Sequence, residues 1–599
     1  MLTITPNDTD QVGVVRGFRR QPVSFDQCFG WLHAPLGDES SSTAVVLCSG
    51  LRHDGMTAYR SFRLLADALA DAGYPTLRFD YPGTGNSRDI GTAEHWAEWQ
   101  QSIHTAADWL RDHSGAGRII LCGLRIGATL AAVVAEQRTD VAGLVLIAPV
   151  LRGRSYIREL ITETAMGARG TSRHPEDGLA VNELRFSGET VQLINQVELR
   201  KVALARGCRV VVYAQSPSPV LSECVSTWAR RGADVTCEDF TGLDPMLRPA
   251  HMSHEPSADV TRILGWLRES IPTGPPPLQH ARVPERAEIR HGSCIETPLR
   301  FGPTGNLFGV LCRPSARDDS SMAVVIVNSG GNPHQGLARV NVDLARRLAA
   351  EGFASLRMDF AGLGDSIAPG DAETHVLEVD RRADVAAAID VMEELGYRRF
   401  AAQGLCSGAY HAFHAALADQ RISVLLLVNL PLFQWRVGDA IEFLSHVQGN
   451  PVSLLLQLRQ MDVWKRLLQQ GPLGLRTRLA MLRVWFYEKI KAIGRRHARF
   501  LGFGPPPTFA QDSINRLAQR ARTLFLFSEG DAGVAALSHE FGQKRCPPGA
   551  AVRIVPGQDH ALTSCETRGV VFEHMIGFLK QDAVSLTGSH AWERPSRKG

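Results

Sequence analysis

The chain has 599 residues, of which 44% are hydrophobic and 21% charged, and its formal net charge is +3. This composition is typical of a soluble globular protein, and the small charge argues against a general nucleic-acid binder. The chain is too long for one ordinary hydrophobic core, so the length predicts either two large α/β domains or roughly three or four smaller ones.

The N-terminus and the cysteines indicate the compartment. Residues 1–11 are polar and acidic, without the basic start and apolar segment of a signal peptide. The apolar run at residues 422–432 is of buried-strand length, too short to span a membrane. Eleven cysteines are scattered without any C-x-x-C spacing, which fits neither a disulfide framework nor a zinc site. We therefore expect a reduced, cytoplasmic protein.

Two halves of the chain repeat one plan, with strands alternating with helices of about a dozen residues. Such an alternation predicts βαβ units and a mostly parallel sheet in each half. The repeated features are an apolar strand ending in a glycine loop, a helix, an R-x-D-x-x-G-x-G-x-S motif and a glycine-rich turn. The matching segments are 42–50 with 321–330, 64–73 with 344–352, 77–87 with 356–366, and 121–127 with 402–408.

The boundaries follow from composition. A Pro-rich stretch cannot continue a helix or a strand and predicts an extended connector. Residues 293–312 alternate apolar and polar side chains around a turn and predict an antiparallel hairpin, with residues 12–36 as its counterpart. The expected divisions are an N-terminal half at 1–270, a linker at 271–285, a C-terminal half at 286–582 and a polar tail at 583–599.

The segment of residues 402–408 carries the main chemical signal, because it has the form G-x-nucleophile-x-G between a predicted strand and a predicted helix. This pattern is a strand-to-helix elbow that exposes a nucleophile on a strained turn. Cys406 occupies the nucleophile position. Its sulfur would lie at the N-terminal end of the following helix, where unpaired backbone N–H groups favour a negative charge. We expect Cys406 to act as a nucleophile, whereas the other ten cysteines fit small buried apolar residues.

A thiol nucleophile needs a base, and the base needs an orienting group. Asp531 follows one predicted strand and His560 follows the next, so both lie at the sheet edge that carries the elbow. We assign Cys406 as nucleophile, His560 as general base and acid, and Asp531 as the orienting carboxylate. Glu529 is the rival for the last role, and we interpret Asp559 as a loop former.

Acyl transfer also creates an oxyanion, which two backbone N–H groups can stabilise. The residue after the nucleophile, Ser407, should provide one donor. Gly331, in the loop after the first parallel strand of this half, should provide the second. We interpret Asp359 as a structural carboxylate of the R-x-D motif, and His411 and His414 as structural residues of the helix after the elbow.

The N-terminal half lacks residues for the same three roles. Arg125 occupies the elbow, and a guanidinium is no nucleophile. The acid position falls in residues 214–218, which contain no carboxylate, and Pro245 aligns with the histidine; His251 and His254 lie close by. We predict a non-catalytic half that braces the active half, covers its mouth or binds an anion at Arg125.

Each half also carries an insertion of helical character before the acid position, at about residues 152–206 and 433–518. The second insertion is basic and amphipathic, which indicates either a surface for an anionic membrane or an acyl-carrier protein, or an ordinary cap with solvated charges. Its basic residues are Arg459, Lys465, Arg466, Arg476, Arg478, Arg483, Lys489, Lys491, Arg495, Arg496 and Arg499.

Taken with these motifs, the chain resembles the α/β-hydrolase superfamily twice over. The order of strand, R-x-D-x-x-G-x-G-x-S, elbow, insertion, acid and histidine is similar to its serine-aminopeptidase-like branch. The motifs N-S-G-G, M-D-F-A-G-L-G-D-S and G-L-C-S resemble those of exosortase-system-associated hydrolases of bacteria. The resemblance implies two tandem α/β-hydrolase domains and that each insertion is a cap over a substrate pocket.

The resulting hypothesis is an acyltransferase or a thioesterase/esterase that works through an acyl-Cys406 intermediate on acyl esters or thioesters. Two alternatives stay open: a non-catalytic scaffold or carrier-binding protein, and a C–C bond hydrolase with the same triad. The sequence shows no metal-ligand set, P-loop or dinucleotide fingerprint, so we expect no cofactor.

Overall fold

The structure is a computed structural model that describes most of both halves. The described residues are 13–15, 17–36, 41–91, 94–167, 178–181, 184–216, 218–271, 287–315, 322–368, 377, 379–435, 508–542, 546–564 and 568–581. The predicted Pro-rich linker beyond Ile271, most of the second insertion and the predicted polar tail lie outside the described residues.

The N-terminal half is built on one sheet that nine of its described strands form, with a separate two-stranded hairpin. The strands are β1 (Gly13–Val15), β2 (Phe18–Phe25), β3 (Cys28–Pro35), β4 (Thr43–Cys48), β5 (Thr76–Phe79), β6 (Arg118–Leu124), β7 (Val141–Ile147), β8 (Gly178–Val181), β9 (Leu184–Ser187), β10 (Arg209–Ala214) and β11 (Asp234–Asp239). The helices are α1 (Arg52–Thr57), α2 (Tyr59–Asp71), α3 (His95–Ser114), α4 (Ile126–Glu136), α5 (Gly153–Gly167), α6 (Gly188–Gln196), α7 (Pro219–Arg230), α8 (Leu243–Met246) and α9 (Ser257–Ser270).

The C-terminal half repeats this plan. Its strands are β12 (Ile289–His291), β13 (Cys294–Phe301), β14 (Leu307–Pro314), β15 (Met322–Ile326), β16 (Ala354–Asp359), β17 (Arg399–Leu405), β18 (Ile422–Val428), β19 (Arg522–Ser528) and β20 (Ala550–Val555). Its helices, within the described residues, are α10 (Val340–Ala350), α11 (Arg382–Glu394), α12 (Ser407–Ala418), α13 (Phe509–Leu517), α14 (Ala532–Phe541) and α15 (Arg568–Lys580).

The two large sheets have the same strand order. In the described residues it is β1-β2-β3-β5-β4-β6-β7-β10-β11 in one and β12-β13-β14-β16-β15-β17-β18-β19-β20 in the other. The first strands of each sheet pair antiparallel as a hairpin, and the last six run parallel with helices between them. This order and the helices on both faces define the α/β-hydrolase fold, which confirms the predicted fold class.

The parallel strands are apolar because helices cover both faces of each sheet. Strand β18 is an example: six of its seven residues are buried, with Ser423 the half-buried exception. Both predicted hairpins are present, as β2 with β3 and β13 with β14. The insertion of the N-terminal half is not purely helical, because β8 and β9 form an antiparallel hairpin between α5 and α6.

The two halves contact each other through an apolar cluster. Phe29 and Trp31 of β3 are buried against Ile289, Phe308 and Val310 of the C-terminal half. The ring centroids of Trp31 and Phe308 are 4.8 Å apart. Trp31 is only 1% exposed, so its indole is fully buried in this cluster.

Around this cluster the two R-x-D-x-x-G-x-G-x-S turns bond to each other reciprocally. Arg78 of the first motif forms an ion pair with Asp365 of the second motif. In the opposite direction, Nη2 of Arg357 donates to Oδ1 of Asn86 at 3.2 Å. Residues 86 and 365 occupy the same position of the repeated motif. The arginine of each motif therefore bonds to the equivalent residue of the other motif. The Tyr59 hydroxyl adds a 2.6 Å hydrogen bond to Asp365.

Trp31→Ala should lower the free energy of unfolding by about 3–5 kcal/mol, because it removes a fully buried aromatic side chain. Equilibrium urea denaturation measures this change. The matched control is Leu36→Ala, whose side chain is 44% exposed, and which should change stability by no more than about 0.5 kcal/mol. Equal effects of the two substitutions would contradict the assignment of Trp31 to an energetically important interface.

Candidate active site

Cys406 lies at a sharp turn between β17 and α12. Its φ and ψ are 53° and −117°, a strained backbone conformation for a residue with a side chain. The turn is tight enough that a Cβ on Gly404 would lie 2.1 Å from the carbonyl carbon of Gly408. The thiol is half-buried at the carboxyl edge of the sheet. The structure therefore contains the predicted elbow, with Cys406 half-buried at its tip.

Asp531 and His560 meet at the same edge of the sheet. Oδ2 of Asp531 and Nδ1 of His560 are 2.5 Å apart. The other carboxylate oxygen, Oδ1, accepts a hydrogen bond of 2.8 Å from the backbone N–H of Gly533, because Asp531 is the N-cap of α14. The carboxylate is 3% exposed and the imidazole 38%. Asp531 is thus fixed by its own helix and orients the ring of His560.

The imidazole of His560 also interacts with Cys406. Burial disfavours its charged form, but hydrogen bonds to Asp531 and to the Cys406 thiol, together with their negative charges, raise the pKa of His560 from 6.5 to about 10. Since Nδ1 is engaged by Asp531, Nε2 is the nitrogen left for the sulfur. The structure therefore brings the three predicted residues Cys406, His560 and Asp531 together at one edge of the sheet.

Asn429, which was not predicted from the sequence, bonds to the backbone of His560. This buried residue follows β18, and its Nδ2 donates to the carbonyl oxygen of His560 at 2.8 Å and to Oγ of Ser528 at 2.9 Å. Its Oδ1 accepts from the Ser528 N–H at 2.7 Å. The available signal was a polar residue at the end of an otherwise apolar strand, at the edge that carries the site.

The rival residues lie elsewhere. Glu529 is exposed, and within the described residues the partner of His560 is Asp531. Both carboxylate oxygens of Asp559 bond to Thr563, through the N–H and the hydroxyl, as expected of a loop former. His411 is buried against Phe360. Nε2 of His414 lies 2.9 Å from the carbonyl oxygen of Phe433.

The loop of residues 328–334, here called the oxyanion loop, lies beside the elbow. The N–H of Gly330 donates to Oγ of Ser407 at 2.8 Å. Gly331 follows with a φ of 79°, and within the described part of the chain its N–H has no acceptor. The N–H of Ser407 lies in the first turn of α12, where intrahelical acceptors are lacking. Both predicted donors are therefore next to the elbow.

Asp359 anchors both ends of the oxyanion loop. Its Oδ1 accepts from Nδ2 of Asn328 at 2.9 Å and from the N–H of His334 at 2.6 Å. Its Oδ2 is 2.8 Å from Nδ1 of His334 and accepts from the N–H of Asp365 at 2.9 Å. Asp359 is fully buried, which fits the predicted structural role. His334, Asp359 and Asp365 have ligand-type atoms within 4.8 Å of one another, but these hydrogen bonds already engage them.

The elbow of the N-terminal half keeps its shape without a nucleophile. Arg125 has φ and ψ of 54° and −121°, close to the values of Cys406. Its guanidinium pairs with Asp54, at 3.4 Å, and with Glu159 of α5. These two carboxylates already neutralise the charge that an anionic ligand would need. Arg125 therefore links the elbow to the insertion of its own half. Pro245, aligned with the histidine, lies within α8.

The remaining cysteines are mostly inaccessible. Among the ten described cysteines, seven are buried, Cys406 and Cys546 are half-buried, and Cys237 is exposed. The expectation that all cysteines except Cys406 are buried is wrong for Cys546, which is half-buried. It is also wrong for Cys237, because β11 lies at the edge of its sheet and its side chains face solvent.

A cavity of about 80 Å³ lies between the two halves. It is lined by residues of both, including Trp31, Arg78, Gln335 and Arg339, but by none of the residues of the Cys406 site. Among the described residues, every helix is too short or too polar to cross a bilayer. The basic residues of the second insertion lie outside the described part of the chain.

Comparison with known proteins gives matches to parts of the chain. The model Hydrolase_4, described as serine aminopeptidase S33, matches residues 39–180, in agreement with the predicted branch. The uncharacterized protein YcjY of Escherichia coli K12 is 31% identical over 134 residues, 21% of this chain and 42% of the relative. The chain thus spans less than half the length of that curated relative.

Two solved structures are similar to about half of the chain. Est1E from Butyrivibrio proteoclasticus, solved with ferulic acid, is 14% identical, with 42% of this chain and 99% of that chain covered and a TM-score of 0.33. The esterase Pf2001 of Pyrococcus furiosus is 11% identical, with 45% and 96% covered and a TM-score of 0.31. The strand order of the two large sheets gives this chain an α/β-hydrolase fold, and residues 39–180 in its N-terminal half match the serine aminopeptidase S33 model.

The pKa of His560 makes stability depend on pH. Because the folded value of about 10 lies above the ordinary 6.5, the stabilisation is fully present below pH 6.5 and is lost as the pH rises to about 10. His560→Gln should therefore destabilise the protein most at pH 6 and progressively less towards pH 10, measured by urea denaturation. His254→Gln, at an exposed histidine, is the control. A stability difference that grows with pH would contradict the assignment.

Proposed function

We propose that the protein is a cysteine-dependent acyl-transfer enzyme that cleaves acyl esters or thioesters through an acyl-Cys406 intermediate. One observation carries the proposal: Asp531 engages Nδ1 of His560 at 2.5 Å at the edge of the sheet that carries the half-buried Cys406, and the Cys406 thiol contributes to the raised pKa of His560. A buried carboxylate, an oriented imidazole and a half-buried thiol are the components of nucleophilic catalysis.

The raised pKa of His560 favours the protonated ring at neutral pH, so that His560 can take the proton of Cys406 when the sulfur becomes the nucleophile. In the first step, the Cys406 sulfur attacks the acyl carbon and a C–S bond forms. The carbonyl electron pair moves to oxygen, and the N–H groups of Gly331 and Ser407 stabilise the oxyanion. As the tetrahedral intermediate collapses, the bond to the alcohol or thiol leaving group breaks, and His560 gives that group its proton.

In the second step, neutral His560 takes a proton from the acceptor, which attacks the acyl-sulfur carbon. The C–S bond breaks, and the electron pair returns to Cys406 as thiolate. Water as acceptor gives hydrolysis, and an amine or alcohol gives transfer. Thioesters react with amines, relative to water, far more readily than oxygen esters do, so a cysteine in place of serine favours acceptors other than water.

In this proposal the N-terminal half performs no chemistry of its own, since a paired guanidinium occupies its elbow. The basic second insertion would bind the acyl donor, with an acidic acyl-carrier protein or an anionic membrane as its partner. These roles extend the proposal to residues outside the described part of the chain, and they rest on sequence composition alone.

Cys406→Ala should lower the turnover of a p-nitrophenyl acyl ester by about 10⁴-fold or more, since loss of a nucleophile removes the covalent pathway. Spectrophotometric release of p-nitrophenol measures it, and intact mass of the wild type should show one acyl group that the variant lacks. Cys237→Ala removes the exposed cysteine and should leave turnover unchanged. Undiminished turnover in Cys406→Ala would refute the proposal.

Alkylation kinetics distinguish an enzyme from a scaffold. An imidazolium-paired thiolate should react with iodoacetamide at pH 7 faster than the exposed Cys237, although Cys406 is less accessible. Peptide mass mapping over time measures both rates in the same sample, so Cys237 is the internal control. A faster Cys237 would favour the non-catalytic scaffold.

The acceptor preference is tested by competition. With a small primary amine in the assay, the amide product should form at the expense of the free acid, as measured by mass spectrometry of the products. A product mixture that remains free acid at every amine concentration would define the enzyme as a hydrolase.

A further inference from the structure

The N-terminal half touches the oxyanion loop of the C-terminal half at two places. One is the buried side chain of Asn86, in the turn after β5. The other is the backbone of Ala250 and His251, after α8. Both contacts lie on the loop that carries Gly331, and neither involves the reacting residues themselves.

The first contact fixes the tautomer of His334. Arg357 can only donate, so the atom of Asn86 that lies 3.2 Å from its Nη2 is the amide oxygen. The amide nitrogen therefore donates to Nε2 of His334, at 3.0 Å. Nε2 then acts as an acceptor, and the ring proton is on Nδ1, where it donates to Asp359 at 2.8 Å. All of these side chains are buried.

Through these hydrogen bonds, the position of Asn86 affects the conformation of the oxyanion loop. The carboxylate of Asp359 bonds simultaneously to His334 at one end of the loop and to Asn328 at the other. Without Asn86, Nε2 of His334 would be a buried acceptor with no donor, which is unfavourable and favours reorientation of the ring. Reorientation would release the end of the loop that follows Gly331.

The second contact restricts the tip of the loop. A methyl group added to Cα of Gly331 would lie 3.3 Å from the backbone nitrogen of His251 and 3.5 Å from the carbonyl carbon of Ala250. This segment follows the last strand of the N-terminal sheet, as the His560 segment does in the C-terminal half. Residues 250–251 belong to the segment of the N-terminal half that lacks a catalytic histidine. They thus pack against the oxyanion loop of the C-terminal half.

We propose that the N-terminal half completes the active site of the C-terminal half, with Asn86 as the positioning residue that, through His334, holds the Gly331 N–H in place for the oxyanion. The inference rests on the proposed function, because it assigns a supporting role in the same acylation step. It also explains why a half without a nucleophile retains its R-x-D-x-x-G-x-G-x-S turn, since this turn supplies Asn86.

The test compares two reactions of Cys406 in the full-length protein. Acylation by a p-nitrophenyl ester forms an oxyanion, whereas alkylation by iodoacetamide displaces iodide and forms none. Asn86→Ala should lower kcat for the ester by about 10–100-fold, because a misplaced donor is lost only in the transition state. KM and the alkylation rate of Cys406 should stay within about twofold of the wild type.

Rescue and control variants separate positioning from folding. Asn86→Gln keeps an amide that can donate to Nε2 of His334 and accept from Arg357, so it should recover part of the lost kcat, whereas Asn86→Asp has no N–H for Nε2 and should not. Tyr59→Phe removes another hydrogen bond between the halves, the one to Asp365, and should leave kcat unchanged. If Asn86→Ala does not yield folded protein, Asn86→Asp and Asn86→Gln are compared instead. Only Asn86→Gln, which keeps the amide donor, should retain kcat, and full kcat in Asn86→Asp would overturn the inference.

An unchanged kcat in Asn86→Ala would overturn the inference. A parallel fall in acylation and alkylation would overturn it as well, because it would indicate general damage to the site. Both results differ from failure of the proposed function, which would appear as full ester turnover in Cys406→Ala, without any substitution in the N-terminal half.

Discussion

The candidate site depends on the strained turn at Cys406. At this turn a residue with a side chain has a positive φ at the edge of a parallel sheet. The strand before it and the helix after it can meet only because glycines at 404 and 408 remove side chains that would collide with backbone. The turn exposes the sulfur, and the helix N-terminus provides the Ser407 N–H. The same close approach brings the oxyanion loop against Ser407. The positions of the proposed nucleophile and of the proposed oxyanion donors therefore follow from one backbone constraint.

The N-terminal half has the same turn, because Arg125 has nearly the same φ and ψ as Cys406. The fold can therefore keep this turn without a nucleophile at its tip. The turn is retained because it packs the sheet against its helix, whereas the side chain at its tip is free to change. Arg125 uses this position for ion pairs with Asp54 and Glu159. A retained elbow is thus evidence for the fold alone, and the chemistry must be argued from the residues that surround the tip.

The interface gives the N-terminal half a physical role. Its aromatic cluster and the reciprocal contacts of the two R-x-D-x-x-G-x-G-x-S turns bury charged groups that would be costly to leave unpaired. Because the C-terminal turn also holds the oxyanion loop through Asp359, the interface and the active site share residues. Loss of the N-terminal half would therefore expose an apolar surface and release a loop that is adjacent to Cys406.

The sequence by itself determined the fold class and the order of the chemical groups. Apolar strands alternating with helices, and glycines at fixed offsets around Cys406, specify local structure, and parallel strands bring Asp531 and His560 to one sheet edge. Only the tertiary structure decided that Asp531 rather than Glu529 faces His560, that Asn429 supports the histidine, and that Asn86 contacts His334. These pairings join residues separated by up to 248 positions, and their geometry depends on strand register and on packing between the halves, neither of which a local pattern encodes.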